Sequence, residues 1–207
     1  MNDTGISRQD ITGVILAGGR GNRMGGVDKG WVPVRGRPMV EHVAERLRPQ
    51  VGALLINANR NAERYAALGF PVVPDQFTGF LGPLAGVASG MQSATTDYVV
   101  TAPCDSPLIG PDLVARLAAA LRRDSADIAV AHDGERSHPV FLLLRRDLAA
   151  DLVAYLESGG RKIDRWFARH RVAYADFHDT PEAFLNVNDP DERAELEYKL
   201  AQAAGSC

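Results

Sequence analysis

Strand-like and helix-like hydrophobic patterns alternate along residues 11–123, and this alternation constrains the fold more than any other feature of the sequence. Residues 11–17 (ITGVILA) and 98–103 (YVVTAP) are continuous apolar runs, which are typical of strands buried on both faces of a sheet. Residues 38–47 and 111–123 instead place their apolar side chains on one helical face. Because the connections between these patterns are short, the sequence predicts βαβ units in an α/β fold with a mostly parallel sheet.

The other elements follow the same scheme as far as residue 125, after which the pattern changes. Two strands are then expected around a polar turn at Asp133-Gly134. The remaining predicted elements are strands at 53–58, 71–75 and 172–177, helices at 61–68, 82–94, 148–158, 162–169 and 191–203, and an extended segment at 184–190.

The size and composition indicate one domain. The chain has 207 residues, of which 45% are hydrophobic, enough for one sizeable core. Within it we distinguish an N-terminal half, residues 8–125, and a C-terminal half, residues 126–203.

The composition also restricts the cellular environment. No apolar run approaches the roughly 20 residues needed to span a bilayer, and the polar first ten residues lack the apolar core of a secretory signal. Two cysteines, Cys104 and Cys207, cannot make a disulfide framework or a four-ligand zinc site, so a reducing cytoplasm is expected. The net charge of −3 argues against general nucleic-acid binding.

A glycine-rich, basic loop follows the first predicted strand, in residues 14–30 (VILAGGRGNRMGGVDKG). Residues 20–37 contain five basic side chains and one acidic side chain, a local excess of positive charge on an acidic protein. Glycines beyond the carboxyl end of a strand let backbone N–H groups approach phosphate oxygens. The loop therefore indicates a small anionic ligand, and a solvated basic surface loop is the alternative.

Two common phosphate-binding patterns are absent from this loop. The pattern GxxxxGK[ST] fails because Lys29 is followed by Gly30, and GxGxxG fails because the sixth position counted from Gly19 is Met24. The loop is therefore neither that of a P-loop NTPase nor that of a standard dinucleotide-binding protein.

Residues 16–30 (LAGGRGNRMGGVDKG) resemble the signature of nucleotidyltransferases that move a nucleoside monophosphate onto a phosphorylated acceptor. The glycine pair followed by RMGGVDK is most similar to the molybdenum cofactor guanylyltransferases. The similarity continues in order through NANR (57–60), PDQFTGFLGPLAGV (74–87), PCDSP (103–107), HDGERSHP (132–139) and NVNDP (186–190). It therefore covers nearly the whole chain.

This resemblance implies a three-layer, Rossmann-like fold of the nucleotide-diphospho-sugar transferase type. It also implies transfer of GMP from GTP to the phosphate of molybdopterin, or of molybdenum-loaded molybdopterin, with release of pyrophosphate. Proteins of molybdenum cofactor biosynthesis and delivery are the implied partners, and no nucleic acid or membrane is expected. Two alternatives stay open: a cytidylyl- or uridylyltransferase for molybdopterin or a sugar or polyol phosphate, and a non-catalytic nucleotide-binding protein on the same fold.

The resemblance further assigns roles to residues of the N-terminal half. The implied catalytic residues are Arg23, Lys29 and Asp105, and the implied GTP contacts are Leu16, Ala17, Gly18, Gly19, Lys29, Asn57, Asp75 and Asp105. A carboxylate such as that of Asp75 complements the N1–H and N2–H₂ donors of guanine. For Asn57 and Asn59, which lie at the end of a predicted strand, ordinary turn chemistry is the alternative.

Asp105 is the candidate metal ligand. It follows a buried apolar strand, and Mg²⁺ typically takes one or two carboxylates together with phosphate oxygens and water. The alternative is that Asp105 caps the helix that follows Pro107. Its neighbour Cys104 has no histidine nearby in the sequence to activate it, so we expect it to pack rather than to react.

The C-terminal half supplies the candidate acceptor contacts. Asn186 and Asn188 alternate, so their side chains point the same way if the segment is extended, and they suit hydrogen bonding to a pterin. Related sugar-nucleotide enzymes often have aspartates in this segment, so a second protein carboxylate on the metal is in doubt. Basic residues that could meet the anionic groups of the acceptor are Arg136, Arg161 and Lys162. A start for the last helix at Asp189-Pro190 is the competing interpretation of the segment.

Overall fold

The computed structural model describes residues 5–19, 28–77, 82–186 and 192. The strands are β1 (Ile11–Leu16), β2 (Pro33–Val34), β3 (Arg37–Pro38), β4 (Ala53–Asn57), β5 (Val72–Val73), β6 (Tyr98–Pro103), β7 (Ile128–His132), β8 (Ser137–Arg145) and β9 (Val172–Asp176). The helices are α1 (Met39–Leu47), α2 (Ala62–Ala66), α3 (Pro83–Ser93), α4 (Leu113–Arg123), α5 (Ala149–Glu157) and α6 (Ile163–Phe167).

Seven strands form one sheet in the order β5-β4-β1-β6-β8-β7-β9, while β2 and β3 form a separate hairpin. Strand β1 runs parallel to both neighbours, as do β4 with β5 and β7 with β9. Strand β8 is antiparallel to both β6 and β7. These pairings confirm the predicted α/β fold with a mostly parallel sheet.

Helices cover both faces of the sheet, which confirms the three-layer architecture. Helices α1 and α4 bury their apolar stripes on one face, as the sequence predicted. Helices α3 and α5 and the fully buried Trp166 of α6 pack on the other face. Helix α3 lies especially close to β1, since a Cβ atom built on Gly90 would be 2.8 Å from both methyl carbons of Val14.

The β7–β8 hairpin turns at Asp133-Gly134, where the sequence predicted it. The Asp133 carboxylate accepts the backbone N–H groups of Glu135 and Arg136 at 2.9 and 2.8 Å, and Gly134 has a φ of +97°. Strands β6 and β7 run in the same direction, because β8 is antiparallel to both, and β9 is parallel to β7. The turn after β7 therefore lies at the edge of the sheet where the parallel strands β5, β4, β1 and β6 also end. We call it the carboxyl edge of the sheet.

Some elements differ from expectation. The hairpin of β2 and β3 was not predicted, because its turn uses Arg35 and Gly36 at φ values of +50° and +77° rather than a familiar Asn-Gly pair. The predicted extended segment at 184–190 is wrong at its first residue, since Phe184 closes a 3₁₀ turn, Pro181–Phe184. The predicted helix at 191–203 lies outside the described residues except for residue 192. No helix within the described ranges is long and apolar enough to cross a membrane.

Candidate active site

The residues predicted to bind the nucleotide lie around the carboxyl end of β1. At this point the strand order reverses, because β4 lies on one side of β1 and β6 on the other. Leu16, the last residue of β1, pairs with Asn57 of β4 on one side and with Pro103 of β6 on the other. Backbone bonds extend the pairing by one residue, because Ala17 N–H donates to the Asn57 carbonyl at 2.8 Å and Cys104 N–H to the Leu16 carbonyl at 3.1 Å. Ligands of open α/β sheets bind at such a reversal.

Asn57, Asn59 and Asp75 form a hydrogen-bonded group that we call the amide–carboxylate cluster. The side-chain amides of Asn57 and Asn59 donate to different oxygens of Asp75, at 2.9 and 2.7 Å. In return, Asp75 N–H donates to the Asn59 side-chain oxygen at 2.8 Å. These contacts span 16 to 18 residues, so they are tertiary contacts and not local turn chemistry. Each carboxylate oxygen has capacity for a further donor.

Gly18 lets the backbone lie over this cluster. A Cβ atom on Gly18 would be 3.0 Å from the Asn59 amide nitrogen and 3.1 Å from the Asn57 amide oxygen, which is tighter than ordinary side-chain contacts. Gly19 differs, because its Cβ would meet no atom within 4 Å in the part of the chain that the structure describes. Its carbonyl accepts a hydrogen bond from the Arg60 guanidinium at 3.0 Å. Gly18 is therefore restricted to glycine by packing, whereas no described residue restricts Gly19.

Lys29 and Asp105 form an ion pair at the other side of the β1 end, with 3.1 Å between Nζ and Oδ2. Their side chains are only 24% and 12% exposed, so water screens the pair less than it screens surface ion pairs. The capping alternative for Asp105 is wrong, because α4 starts at Leu113 and Asp112 is the residue that precedes it. A cation and a carboxylate thus face each other at the loop that follows β6, which is bonded to the end of β1 through Cys104.

The donor set at Asp105 fits a Mg²⁺ ion that arrives with a phosphate ligand. Within the ranges that the structure describes, no group of three or more His, Cys, Asp or Glu side chains could hold a metal by itself. Mg²⁺ does not require such a group, since one or two protein carboxylates, substrate phosphates and waters complete its shell. Asp105 is a largely buried carboxylate of this kind.

Cys104 packs in the core beside Asp105, as the sequence predicted. Burial, and then the charges of Asp105 and Asp28, raise the pKa of the Cys104 thiol well above its usual value. The side chain is therefore a protonated packing group and not a thiolate nucleophile.

The C-terminal segment reaches the loop that carries Asp105. The Ser106 hydroxyl, which is fully buried, donates a hydrogen bond to the side-chain oxygen of Asn186. The preceding Phe184 ring stacks on His138 with 4.4 Å between ring centroids, and His138 in turn pairs with Asp133 at 2.6 Å. Sequence analysis located Ser106 and Asn186 in two separate motifs, but it missed their contact, because 80 residues separate them and local sequence does not show which motifs meet.

The other candidate acceptor residues are less closely associated with this centre. Arg136 is exposed on the β7–β8 turn, at the carboxyl edge, and lines an open groove with Tyr174 and Asp176. Arg161 and Lys162 lie on the loop between α5 and α6, where the Arg161 guanidinium donates to the Leu156 carbonyl at 2.7 Å.

Two predicted site residues, Arg23 and Asn188, lie outside the described residues, and their roles stay predictions.

Backbone hydrogen bonds dominate the electrostatics of the β7–β8 turn. The N–H groups of Arg136 and Glu135, together with the His138 ring, hold the pKa of the Asp133 carboxyl well below its usual value, the Arg136 N–H being the largest cause. Asp133 is therefore a fixed anion that shapes the turn and orients His138, and its oxygens are engaged within the hairpin.

Comparisons with known proteins agree with this geometry. The family described as MobA-like NTP transferase domain matches residues 13–173. A protein of Shewanella sp. (strain MR-4) named molybdenum cofactor guanylyltransferase is 52% identical over 193 residues, covering 93% of this chain and 98% of the relative. A protein of the same name from Shewanella halifaxensis is 50% identical over 191 residues, covering 92% of this chain and 96% of that protein.

A crystal structure of molybdopterin-guanine dinucleotide biosynthesis protein A from Archaeoglobus fulgidus has the same fold, with a TM-score of 0.78 at 22% identity. The match covers 92% of this chain and 99% of that one. The chain therefore belongs to the MobA-like NTP transferase family, among the molybdenum cofactor guanylyltransferases.

Proposed function

We propose that the protein transfers GMP from GTP to the terminal phosphate of molybdopterin or molybdenum-loaded molybdopterin and releases pyrophosphate. One observation carries this proposal: a single sheet edge presents both a carboxylate suited to guanine and a lysine–aspartate pair suited to phosphates. The names of relatives about half identical to this chain support the same reaction.

The amide–carboxylate cluster is the proposed guanine site. Guanine presents N1–H and N2–H₂ as adjacent donors, and Asp75 presents two oxygens whose positions are fixed by the amides of Asn57 and Asn59. The acceptor-rich edge of cytosine or uracil would be repelled by this carboxylate. The cluster thus supplies base selectivity through charge and hydrogen-bond polarity.

The glycine loop is the proposed triphosphate site. The backbone N–H groups of Gly18 and Gly19 are the proposed phosphate contacts, because the Ala17 N–H is already bonded to the Asn57 carbonyl and Gly19 has no side chain to block a phosphate oxygen. Arg23 and Lys29 add positive charge where the phosphates accumulate negative charge.

Asp105 is the residue that we propose to hold Mg²⁺. A bound Mg²⁺ would neutralise negative charge on phosphate oxygens. Asp105 contributes a largely buried carboxylate for that purpose, and Lys29 provides the neighbouring cation.

The proposed transfer needs no general base. The acceptor is a phosphate monoester, so its attacking oxygen is already an anion. A new bond forms between that oxygen and the α-phosphorus of GTP, while the bond from the α-phosphorus to the bridging oxygen breaks and its electron pair leaves with pyrophosphate. The protein contributes mainly by positioning the two anionic reactants and stabilising their charge.

In this proposal, the two halves of the chain bind different substrates. Residues 8–125 bind GTP, and residues 126–203 of the same single domain supply the acceptor contacts. Those contacts come from Arg136, Arg161, Lys162, Asn186 and Asn188. We further propose a cytoplasmic enzyme that exchanges substrate and product with proteins of molybdenum cofactor biosynthesis and delivery.

The first test is calorimetric binding of GTP, CTP, UTP and ATP, each with and without Mg²⁺. We expect GTP to bind most tightly, and Asp75→Ala to weaken GTP binding roughly 10- to 100-fold through loss of charge-assisted hydrogen bonds. Asp97→Ala, which removes an exposed carboxylate at the opposite edge of the sheet, is the control and should bind GTP as the wild type does. Preference for CTP or UTP would contradict the assignment of guanine, and binding of none of the four would contradict the nucleotide site itself.

A further inference from the structure

A buried phenol lies beneath the turn that carries Lys29. Tyr65 of α2 has no exposed surface, and its hydroxyl donates to one carboxylate oxygen of Asp28 at 2.6 Å. The side-chain amide of Asn61, which precedes the same helix, donates to the other oxygen at 2.8 Å. Both oxygens of Asp28 are therefore held by residues in or beside α2.

These contacts fix the start of the Lys29 turn. The Asp28 carbonyl accepts the Trp31 N–H at 3.0 Å, and the Lys29 carbonyl accepts the Val32 N–H at 3.1 Å, so residues 29–31 form one 3₁₀ turn. The Asp28 carboxylate does not cap this turn, because Tyr65 and Asn61 direct it toward α2. The Asp28 carboxylate is thereby bonded to Tyr65 and Asn61, while the ammonium of its neighbour Lys29 lies 3.1 Å from Asp105.

The same phenol also contacts the chain on the Asp105 side. A Cβ atom on Gly30 would lie 2.5 Å from the Tyr65 hydroxyl oxygen and 3.4 Å from the Cys104 sulfur. The backbone after Lys29 therefore crosses directly over the phenol and the thiol that precedes Asp105. Burial is the largest cause that raises the pKa of Tyr65, and the neighbouring Asp28 carboxylate acts in the same direction, so the phenol stays protonated and remains a donor.

We propose that Tyr65 is a positioning residue, which holds Lys29 in place for nucleotidyl transfer through its hydrogen bond to Asp28. This inference rests on the proposed function, because it needs Lys29 to act on the triphosphate. Tyr65 itself touches no substrate. Loss of its hydroxyl would leave the core packing in place and leave Asn61 as the remaining described side-chain donor to the Asp28 carboxylate, so that the Lys29 turn would sample other orientations.

Tyr65→Phe tests this inference because it removes one oxygen atom. We expect kcat/KM for transfer to fall roughly 10- to 100-fold, because the free energy of a hydrogen bond to a charged group would be lost from the positioning of Lys29. Tyr98→Phe, at the opposite end of β6, is the matched control and should stay within about twofold of wild type, since Tyr98 lies away from the carboxyl edge.

A double-mutant cycle with Lys29→Met separates positioning from a general structural role. If Tyr65 acts through Lys29, adding Tyr65→Phe to the Lys29→Met variant should lower kcat/KM by less than about twofold. A full additional loss, equal to that in the wild-type background, would overturn the inference. The same cycle is measured on GTP affinity, which gives a readout independent of turnover.

Asn61→Gly removes the other hydrogen bond that holds the Asp28 carboxylate and so provides a second test. Asn61 has a φ of +52°, a conformation that glycine accepts, so this change removes the amide with little backbone strain. We expect a loss of roughly fivefold that also disappears in the Lys29→Met background. This variant decides the matter if Tyr65→Phe fails to fold.

The two possible failures are distinguishable. If the wild-type protein neither binds GTP nor releases pyrophosphate, the proposed function is contradicted, and this inference with it. A wild-type protein that transfers GMP, with Tyr65→Phe and Asn61→Gly equally active, would overturn this inference alone.

Discussion

The nucleotide side and the acceptor side of the carboxyl edge are built in different ways. On the nucleotide side, functional groups bond to residues distant in the sequence, as in the pairs Asn57–Asp75 and Lys29–Asp105. On the acceptor side, the basic residues lie on exposed loops, and Arg161 bonds to the Leu156 carbonyl near the end of α5, only five residues away. The first arrangement is fixed by the fold, whereas the basic side chains of the second depend mainly on local structure.

This difference predicts an order of mutational effects. A charge that is partly buried and fixed before the substrate binds acts in a low-dielectric setting and needs little reorganisation during the reaction. An exposed arginine is screened by water and salt, and it loses side-chain entropy when it binds. Single substitutions should therefore be severe on the nucleotide side and mild on the acceptor side.

Asp105→Ala should have the largest effect. We expect the protein to fold and the rate of transfer to fall roughly 10³-fold, because the change removes the proposed Mg²⁺ ligand and the ion-pair partner of Lys29. The measurement is pyrophosphate release at saturating GTP across a Mg²⁺ titration, with thermal melting as the test of folding.

Asp97→Ala is the matched control for that experiment. Asp97 is an exposed aspartate at the amino end of β6, the same strand that leads to Asp105. Its substitution should leave transfer within about twofold of wild type, as is usual for surface positions. Transfer by Asp105→Ala within tenfold of wild type would contradict the metal assignment.

Lys29→Met should have the second-largest effect. It keeps a long apolar side chain and removes the charge, so we expect a loss of roughly 10²-fold in kcat/KM for GTP. Lys29→Arg should recover part of the activity, because the charge returns with a different donor geometry. Unchanged rate and GTP affinity in Lys29→Met would mean that Lys29 is only a partner of Asp105, and the nucleotide side would lose its proposed phosphate contact.

The sequence predicted the fold well because hydrophobic periodicity determines which face of each element is buried. The strand at 98–103 and the apolar stripes of α1 and α4 were found in this way. The β2–β3 hairpin was missed, since Arg35 adopts a positive φ that arginine seldom takes. The position of β8 between β6 and β7 could not be read from the pattern either, because it depends on pairing between strands far apart in the chain.

The candidate site was predicted less completely. The glycine loop and Asp105 follow strands directly, so local sequence locates them at the carboxyl edge. Tyr65 looks like an ordinary apolar residue of a short helix, and its contact with Asp28 spans 37 residues. Such supporting contacts become visible only when the tertiary structure brings the two segments together.

Arg136→Ala should have the smallest effect and tests the acceptor side. Arg136 is exposed on the β7–β8 turn, so we expect its loss to raise KM for the acceptor only about threefold and to leave GTP affinity unchanged. The effect should shrink as salt increases, because water and ions screen an exposed charge. Arg145→Ala, at the other end of β8 beside Asp147, is the control and should leave KM for the acceptor unchanged. A rise of 30-fold or more in KM for the acceptor in Arg136→Ala, persisting in high salt, would show that Arg136 is held as firmly as the charges of the nucleotide side. The proposed difference between the two sides would then be wrong.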